Sequence, residues 1–336
     1  MKIGKFDTNG KVLIVAEIGN NHEGRMEVAQ ELVARAAECG VDAVKFQTFR
    51  AERFVRRSDA ERFARLASFE LPEGAWEVLA RQAKNLGLYF LSTPLDLGSA
   101  ALLRDLVDAY KVASGDLTFF PLIEKVAASG KPIIFSSGLA DVPSIKRALA
   151  CAEGVWKRCG VVGETAVLHC VSAYPTPPED ANLLSISYLA DNLSKTIGYS
   201  DHVMGIEASV AAVAIGARIL EKHFTKDKNF STFRDHRLSA DPEEMRILVS
   251  RVRDVERMRG RVEKRPQPSE SGSLSAFRRS ISAGRDLKKG HVLTFEDLSW
   301  LRPSGGINPG EEDRLVGHCL LRDVALGDWL HPSDVD

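Results

Sequence analysis

Two histidines each close a short apolar run, His202 in YSDH and His223 in EKHFT. Neutral imidazole suits Mn, Fe, Co or Zn better than Mg or Ca. A pair of imidazoles leaves coordination positions open, as a Lewis-acid site requires. Two unrelated polar groups at strand ends would give the same spacing. Two lysines, Lys45 and Lys111, also sit in apolar runs, where an ammonium is costly unless it points into a polar cavity with an anionic partner. Hydroxyls recur at the same places, in Thr93, Ser114, Ser136, Ser137 and Ser200. Two ammonium groups with several hydroxyls suit a phosphate and a carboxylate; lysines snorkelling to acids at the rim would look alike. Glu17, Asp116, Asp201, Glu221 and Asp235 are candidate acid, base or orienting carboxylates. His22, in NNHEG, could meet substrate or cap the next helix.

The elements that must position these groups are eight short apolar runs: Val12–Gly19, Ala43–Thr48, Tyr89–Pro94, Tyr110–Asp116, Pro132–Gly138, Ala166–Pro175, Thr196–His202 and Ile219–Thr225. β-Branched enrichment and flanking breakers mark them as strands, apolar on both faces as parallel strands under helices are. Helical periodicity fills the gaps, over Met26–Gly40, Ala75–Gly87, Pro121–Gly130, Ala208–Ala217 and Pro242–Gly260. The spacing predicts a (β/α)8 TIM barrel, whose strand ends carry the active site. The charged segment Arg50–Glu73 is longer than a minimal connection and is expected to add a helix over the rim.

A chain of 336 residues has room for one large core and a smaller domain. Residues 1–260 are assigned to the barrel. Residues 261–275, rich in Pro, Ser, Glu and Gly, are read as a linker. Residues 276–336 change to short alternating runs with Gly and Pro, a small β-rich domain. Within it GRDLKKGHVLTFEDL and LRDVALGDWLHPSDV form a weak repeat. A net charge of −1 gives no field toward nucleic acid or membrane, so neither is expected as a partner. No run is long enough to span a bilayer, and the first residues lack the pattern of a signal peptide. Five scattered cysteines without a C-x-x-C pair suit free thiols in a cytoplasmic protein, with Cys170 read as core filler.

In order along the chain stand AEIGNNHEG, KFQT, STP, SGD, HCVSAYPTP, GYSDH and EKHFT, followed by KKGHVLTFEDLSWLRPSGGI. Together they resemble the bacterial sialic acid synthase family over essentially the whole chain. The resemblance implies a barrel joined to an antifreeze-like SAF domain of β-clip type. It implies condensation of phosphoenolpyruvate with the open-chain aldehyde of an N-acylated amino sugar such as N-acetylmannosamine. C3 of the donor attacks the aldehyde carbon, water adds at C2, and phosphate leaves by C–O cleavage. The product is a nine-carbon 2-keto-3-deoxy acid. The cofactor implied is a divalent metal, Mn2+ first, with Mg2+ or Co2+ as alternatives.

Carried onto this sequence, the resemblance makes His202 and His223 the metal ligands. Lys45, Thr93, Lys111, Ser114, Ser136 and Ser200 hold the donor's phosphate and carboxylate. Ser172 stands at a phosphate-contacting position where the family usually has Asn. Gln47 and Tyr174 face the sugar, with Glu17 beside the sugar or a metal-bound water. Asp116, in SGD where SGE is common, becomes the proton-handling group. Asp235 binds sugar hydroxyls. Arg302 reaches the acyl group across a homodimer with exchanged tails. The segment NFSTFRDH (Asn229–His236) replaces a Pro- and Gly-containing one, which leaves sugar identity open. Rival expectations are a synthase of legionaminic, pseudaminic or another polysaccharide sugar acid, a metal-dependent pyruvate aldolase, and a sugar-binding scaffold without catalysis.

Overall fold

The computed structural model describes residues Met1–Asp336 as two compact units, Met1–Gly260 and Arg261–Asp336. The first opens with a hairpin absent from the sequence reading, β1 (Lys2–Ile3) against β2 (Phe6–Asp7). Eight parallel strands then close on themselves: β3 (Leu13–Gly19), β4 (Ala43–Thr48), β5 (Tyr89–Pro94), β6 (Ala109–Val112), β7 (Ile133–Ser136), β8 (Thr165–Cys170), β9 (Thr196–Asp201) and β10 (Ile219–His223). β10 pairs with β3, Ile219 opposite Leu13 and His223 opposite Glu17, and that pairing closes the TIM barrel.

Strand side chains alternate between barrel interior and surrounding helices. The outward set packs with the helices into the main core; Ile14, Val44, Phe90, Tyr110, Phe135, Val167 and Leu220 all belong to it. The inward set is divided by height. At the strand starts Leu13, Val15, Ala43, Leu91, Ala109, Ile134, Ala166, Leu168 and Ile219 form a separate apolar cluster. Met1 and Ile3 of the hairpin join that cluster, which explains the hairpin as a plug for the barrel floor. At the strand ends the same inward register carries polar side chains.

Five of the eight expected strands end earlier than the sequence suggested; Thr196–His202 stops at Asp201 and Ile219–Thr225 at His223. The run Tyr110–Asp116 leaves the sheet at Val112, and Ser114–Asp116 form a 3-10 turn. The run Ala166–Pro175 ends its pairing at Cys170, and Pro132–Gly138 at Ser136. In these three the polar tail turns away from the ladder. The segment Arg50–Glu73 contains two helices, Ala51–Phe54 and Ala60–Phe69. No helix is long and apolar enough to cross a membrane.

In the second unit, the stretch read as a linker holds a 3-10 turn at Pro268–Glu270 and enters the helix Leu274–Phe277. β11 (Ser280–Ala283) pairs antiparallel with β12 (Leu298–Leu301) over a core that includes Ile281, Leu293, Leu315 and Leu330. The weak repeat has a structural counterpart. Leu287 bridges Val324. Each half ends in a 3-10 turn with a capping box, Thr294 with Asp297 and His331 with Asp334. In each half an arginine grips the capping aspartate: Arg285 Nε donates to Asp297 at 2.9 Å and Arg322 Nε to Asp334 at 2.6 Å.

Candidate active site

The polar inward layer lines a cavity of about 430 Å³ at the C-terminal end of the barrel, within the size range of small-molecule sites. Glu17, Lys45, Gln47, Thr93, Lys111, Ser136, Ser200 and His223 reach it from the strands. Ser114, Asp116, Ser172, Tyr174 and His202 reach it from the turns that follow. Asp235 does not line it but borders an outer cavity of about 860 Å³, which shares Gln47, Phe54, Arg62, Tyr174 and His223 with the inner one. Arg302 is exposed in the second unit, directly after β12.

Register explains the contacts. Glu17 stands opposite Lys45 on adjacent strands, and their Oε2 and Nζ are 2.7 Å apart. Ser200 stands opposite Glu221, and its hydroxyl donates to Glu221 Oε1 at 3.0 Å. Lys111 Nζ donates to both oxygens of Glu221, at 3.0 and 3.1 Å. Lys45 Nζ also donates to Thr93 Oγ1 at 3.1 Å and lies 3.8 Å from Glu221. Two buried ammonium groups thus share two buried carboxylates.

Burial disfavours charge on Glu221, but Lys111 and Lys45 outweigh it and hold its pKa down to about 2. Glu17 moves the other way: burial raises it, and Glu221 adds to the rise against Lys45. Burial and the neighbouring Lys45 lower Lys111, whereas the two glutamates keep Lys45 above its ordinary value despite burial. Asp116 is pushed up to about 6 by burial, a value at which a carboxyl exchanges protons near neutrality.

The imidazoles of His202 and His223 face each other, with ring centroids 5.5 Å apart. His202 Nδ1 lies 2.7 Å from the Val171 carbonyl. A carbonyl only accepts, so Nδ1 is a protonated nitrogen and Nε2 is the ring atom left for a ligand. Burial, then the nearby His202 and Lys45, lowers the His223 pKa well below that of free imidazole, so His223 is neutral. His223 Nδ1 and Ser136 Oγ are buried without a hydrogen-bond partner, a costly state unless a ligand completes it. These donors fit a divalent metal. No group of three or more His, Cys, Asp or Glu is placed to hold one, so the chain offers two imidazoles and leaves other positions to water or substrate.

Several groups fall elsewhere than expected. Cys170, read as core filler, lines the cavity. Burial opposes its ionisation, but His202, Lys111 and Ser114 hold the thiol below its usual range. Its inward position follows from the period-two register that also places Leu168. Asp201 points outward, 2.9 Å from Lys222 and 2.5 Å from Ser209; its role is structural. His22 Nδ1 accepts the Gly24 N–H at 3.0 Å, closing the loop after β3. Glu221, one of five unranked carboxylates in the sequence, is the hub. The i, i+2 spacing to His223 was the signal that it faces inward.

Two glycines shape the wall. Gly138 leaves room for two serines: a Cβ there would lie 2.3 Å from Ser172 Oγ and 2.8 Å from Ser114 Oγ. Its N–H binds Ser114 Oγ at 3.0 Å. Gly19 has φ +54°, which favours glycine, at a register shift that follows Glu17.

Residues 32–264 match the model of the NeuB family, and residues 278–336 match the SAF domain. The chain belongs to the NeuB family. This NeuB-family chain is 45% identical over 323 residues to an uncharacterized protein of Methanocaldococcus jannaschii, covering 96% of the chain and 94% of the relative. It is 38% identical to the N,N'-diacetyllegionaminic acid synthase of Legionella pneumophila, covering 94% and 92%. Among solved structures it resembles the N-acetylneuraminic acid synthetase of Leptospira borgpetersenii, in complex with citrate. The TM-score is 0.75 with 32% identity, over 82% of this chain and 94% of that one. Other relatives are named pseudaminic acid synthase, in Campylobacter jejuni, and spore coat polysaccharide biosynthesis protein, in Bacillus subtilis.

Proposed function

We propose that the chain condenses phosphoenolpyruvate with the aldehyde of an N-acylated amino sugar, releasing phosphate and a nine-carbon sialic-acid-type 2-keto-3-deoxy acid. One observation carries this: two buried lysines, a set of hydroxyls and two imidazoles line a single cavity in a chain of this family. Lys45 and Lys111, with Thr93, Ser114, Ser136, Ser172 and Ser200, hold the donor's phosphate and carboxylate and fix its orientation. Gln47, Tyr174 and Asp235 face the sugar. Its aldehyde lies toward His202, His223 and Glu17.

C3 of the donor bonds to the aldehyde carbon. Asp116 takes a proton from the water that bonds to C2. The former aldehyde oxygen takes up a proton to become a hydroxyl, and the C2–O bond to phosphate breaks as the new C2 hydroxyl gives up its proton, leaving the ketone and inorganic phosphate. His202 and His223 would hold a divalent metal, Mn2+ first, which supplies Lewis-acid stabilisation of the alkoxide forming on the aldehyde oxygen. Arg302 is read as reaching the acyl group on the partner barrel of a homodimer with exchanged tails. The outer cavity and the Asn229–His236 segment govern the choice among sialic, legionaminic and pseudaminic precursors.

The test supplies phosphoenolpyruvate, Mn2+ and a panel of N-acetylated amino sugars, and follows phosphate release together with sugar-acid formation. Both are expected with at least one sugar and should be lost on chelation. Pyruvate serving equally well would instead make the protein an aldolase. Sugar binding without turnover on any sugar would make it a scaffold.

A further inference from the structure

On β9 and β10 the residue just before each imidazole faces away from the cavity. Ser200, His202, Glu221 and His223 line the cavity. Asp201 and Lys222, the residues between them, point outward and stand opposite each other in the ladder. Their side chains meet behind the sheet as an ion pair. Lys222 Nζ lies 2.9 Å from Asp201 Oδ2, at 1% and 0% exposure. Asp201 also accepts from Ser209 of the helix Glu207–Ala214. Two further bonds grip the backbone beside His202. Asp201 Oδ1 accepts the Val203 N–H at 2.9 Å, and Lys222 Nζ donates to the Val203 carbonyl. Well-packed apolar side chains often replace a buried ion pair without loss of stability, so cohesion of the two strands does not by itself call for these charges. Apolar side chains could not bind the N–H and carbonyl of Val203, and so could not fix the peptide that follows His202.

One member of the pair precedes each imidazole by a single residue, and the pair ties the two strand ends together at that level. The imidazoles it backs have ring centroids 5.5 Å apart. We infer that Asp201 and Lys222 are positioning residues for a divalent metal: from outside the cavity they set the distance and direction between His202 and His223. This rests on the two-imidazole metal site proposed above and gives a part to two buried charges that the condensation leaves unused. Groups behind a metal ligand that fix its direction change metal affinity by roughly 10–100-fold when altered.

The test measures Mn2+ binding to the full chain without donor or sugar, from the loss of the free ion's electron paramagnetic resonance signal. Asp201→Asn and Lys222→Met each remove one charge at nearly constant shape. Each is expected to weaken Mn2+ binding by about ten-fold or more. The visible bands of bound Co2+, which report ligand geometry, should shift at saturating metal. Calorimetric binding of phosphoenolpyruvate without metal should stay as it was, because Lys45 and Lys111 are untouched. Where a single variant fails to fold by circular dichroism, Asp201→Asn/Lys222→Met leaves no buried charge unpaired and carries the same expectation. Unchanged Mn2+ affinity and Co2+ bands in a folded variant overturn the inference. So does a parallel fall in phosphoenolpyruvate affinity, which would mean that the whole barrel mouth has loosened. Absence of Mn2+ binding by the unaltered protein removes the metal site and this role with it. Selective loss of metal in the variants, with no sugar turned over by the unaltered protein, keeps the positioning role and removes the condensation.

Discussion

Glu221 settles how two lysines can lie together inside a barrel. Taking an ammonium out of water costs several kcal/mol, and removing one partner of a buried pair costs about 3–5 kcal/mol. Glu221 touches Lys111 at 3.0 Å, Lys45 at 3.8 Å and Ser200 at 3.0 Å. Glu221→Gln should therefore lower the unfolding temperature by several degrees, and phosphoenolpyruvate should restore part of the loss by supplying anionic oxygens. An unchanged unfolding temperature would show that the lysines do not depend on it. Asp116 carries a separate expectation. Its pKa of about 6 comes from burial. It is protonated below that value and accepts protons above it. The kcat/KM should rise with pH through a limb near 6, and Asp116→Asn should lower the rate and abolish that limb. The same limb persisting in the variant would assign it to another group.

At the scale of elements, alternation decides which residues take part. All eight barrel strands were legible because β-branched runs between breakers survive in any context. Their C-terminal limits were less legible, since a polar tail reads alike whether it stays in the ladder or turns out of it. Ser114 and Asp116 turn out; Ser200 stays in. Lys45, Lys111 and both histidines were legible because their chemistry is conspicuous in an apolar run. Glu221 was named only as one of five carboxylates, and Cys170 was taken for core, because an apolar run does not by itself say which of its two faces looks into the barrel. The hairpin Lys2–Asp7 escaped because two-residue strands have no measurable period.

The repeat in the second unit carries an expectation of its own. Burial opposes ionisation of Asp297, but bonds from His291, Thr294 and Arg285 hold it well below the carboxylate range, and Arg322 likewise lowers Asp334. A depressed folded-state pKa gives stability that is present above the unfolded value near 4 and lost as pH falls through the folded one. Acid should therefore loosen this unit as its capping aspartates protonate. Asp297→Asn should destabilise it at pH 7 and flatten its acid transition, followed by tryptophan emission from Trp300 and Trp329.

At the scale of the molecule, the chain divides its work. The barrel unit has its own cores and contains both cavities. Truncation after Gly260 should leave a folded barrel that still binds phosphoenolpyruvate but condenses little, if Arg302 completes the acceptor site. Sedimentation of the full chain should give a dimer. Full activity in the truncated protein would remove Arg302 from the reaction.

The seam between β3 and β10 joins Leu13 to Ile219. A ribosome making this protein delivers Glu17 and Lys45 early and Glu221 and His223 last among the barrel groups. Until the eighth strand emerges, Lys111 lacks its counter-charge and the ring stays open along one edge. The nascent chain is then most exposed to stray β-pairing, and it gains its cavity, its charge balance and its closed outline in one late step.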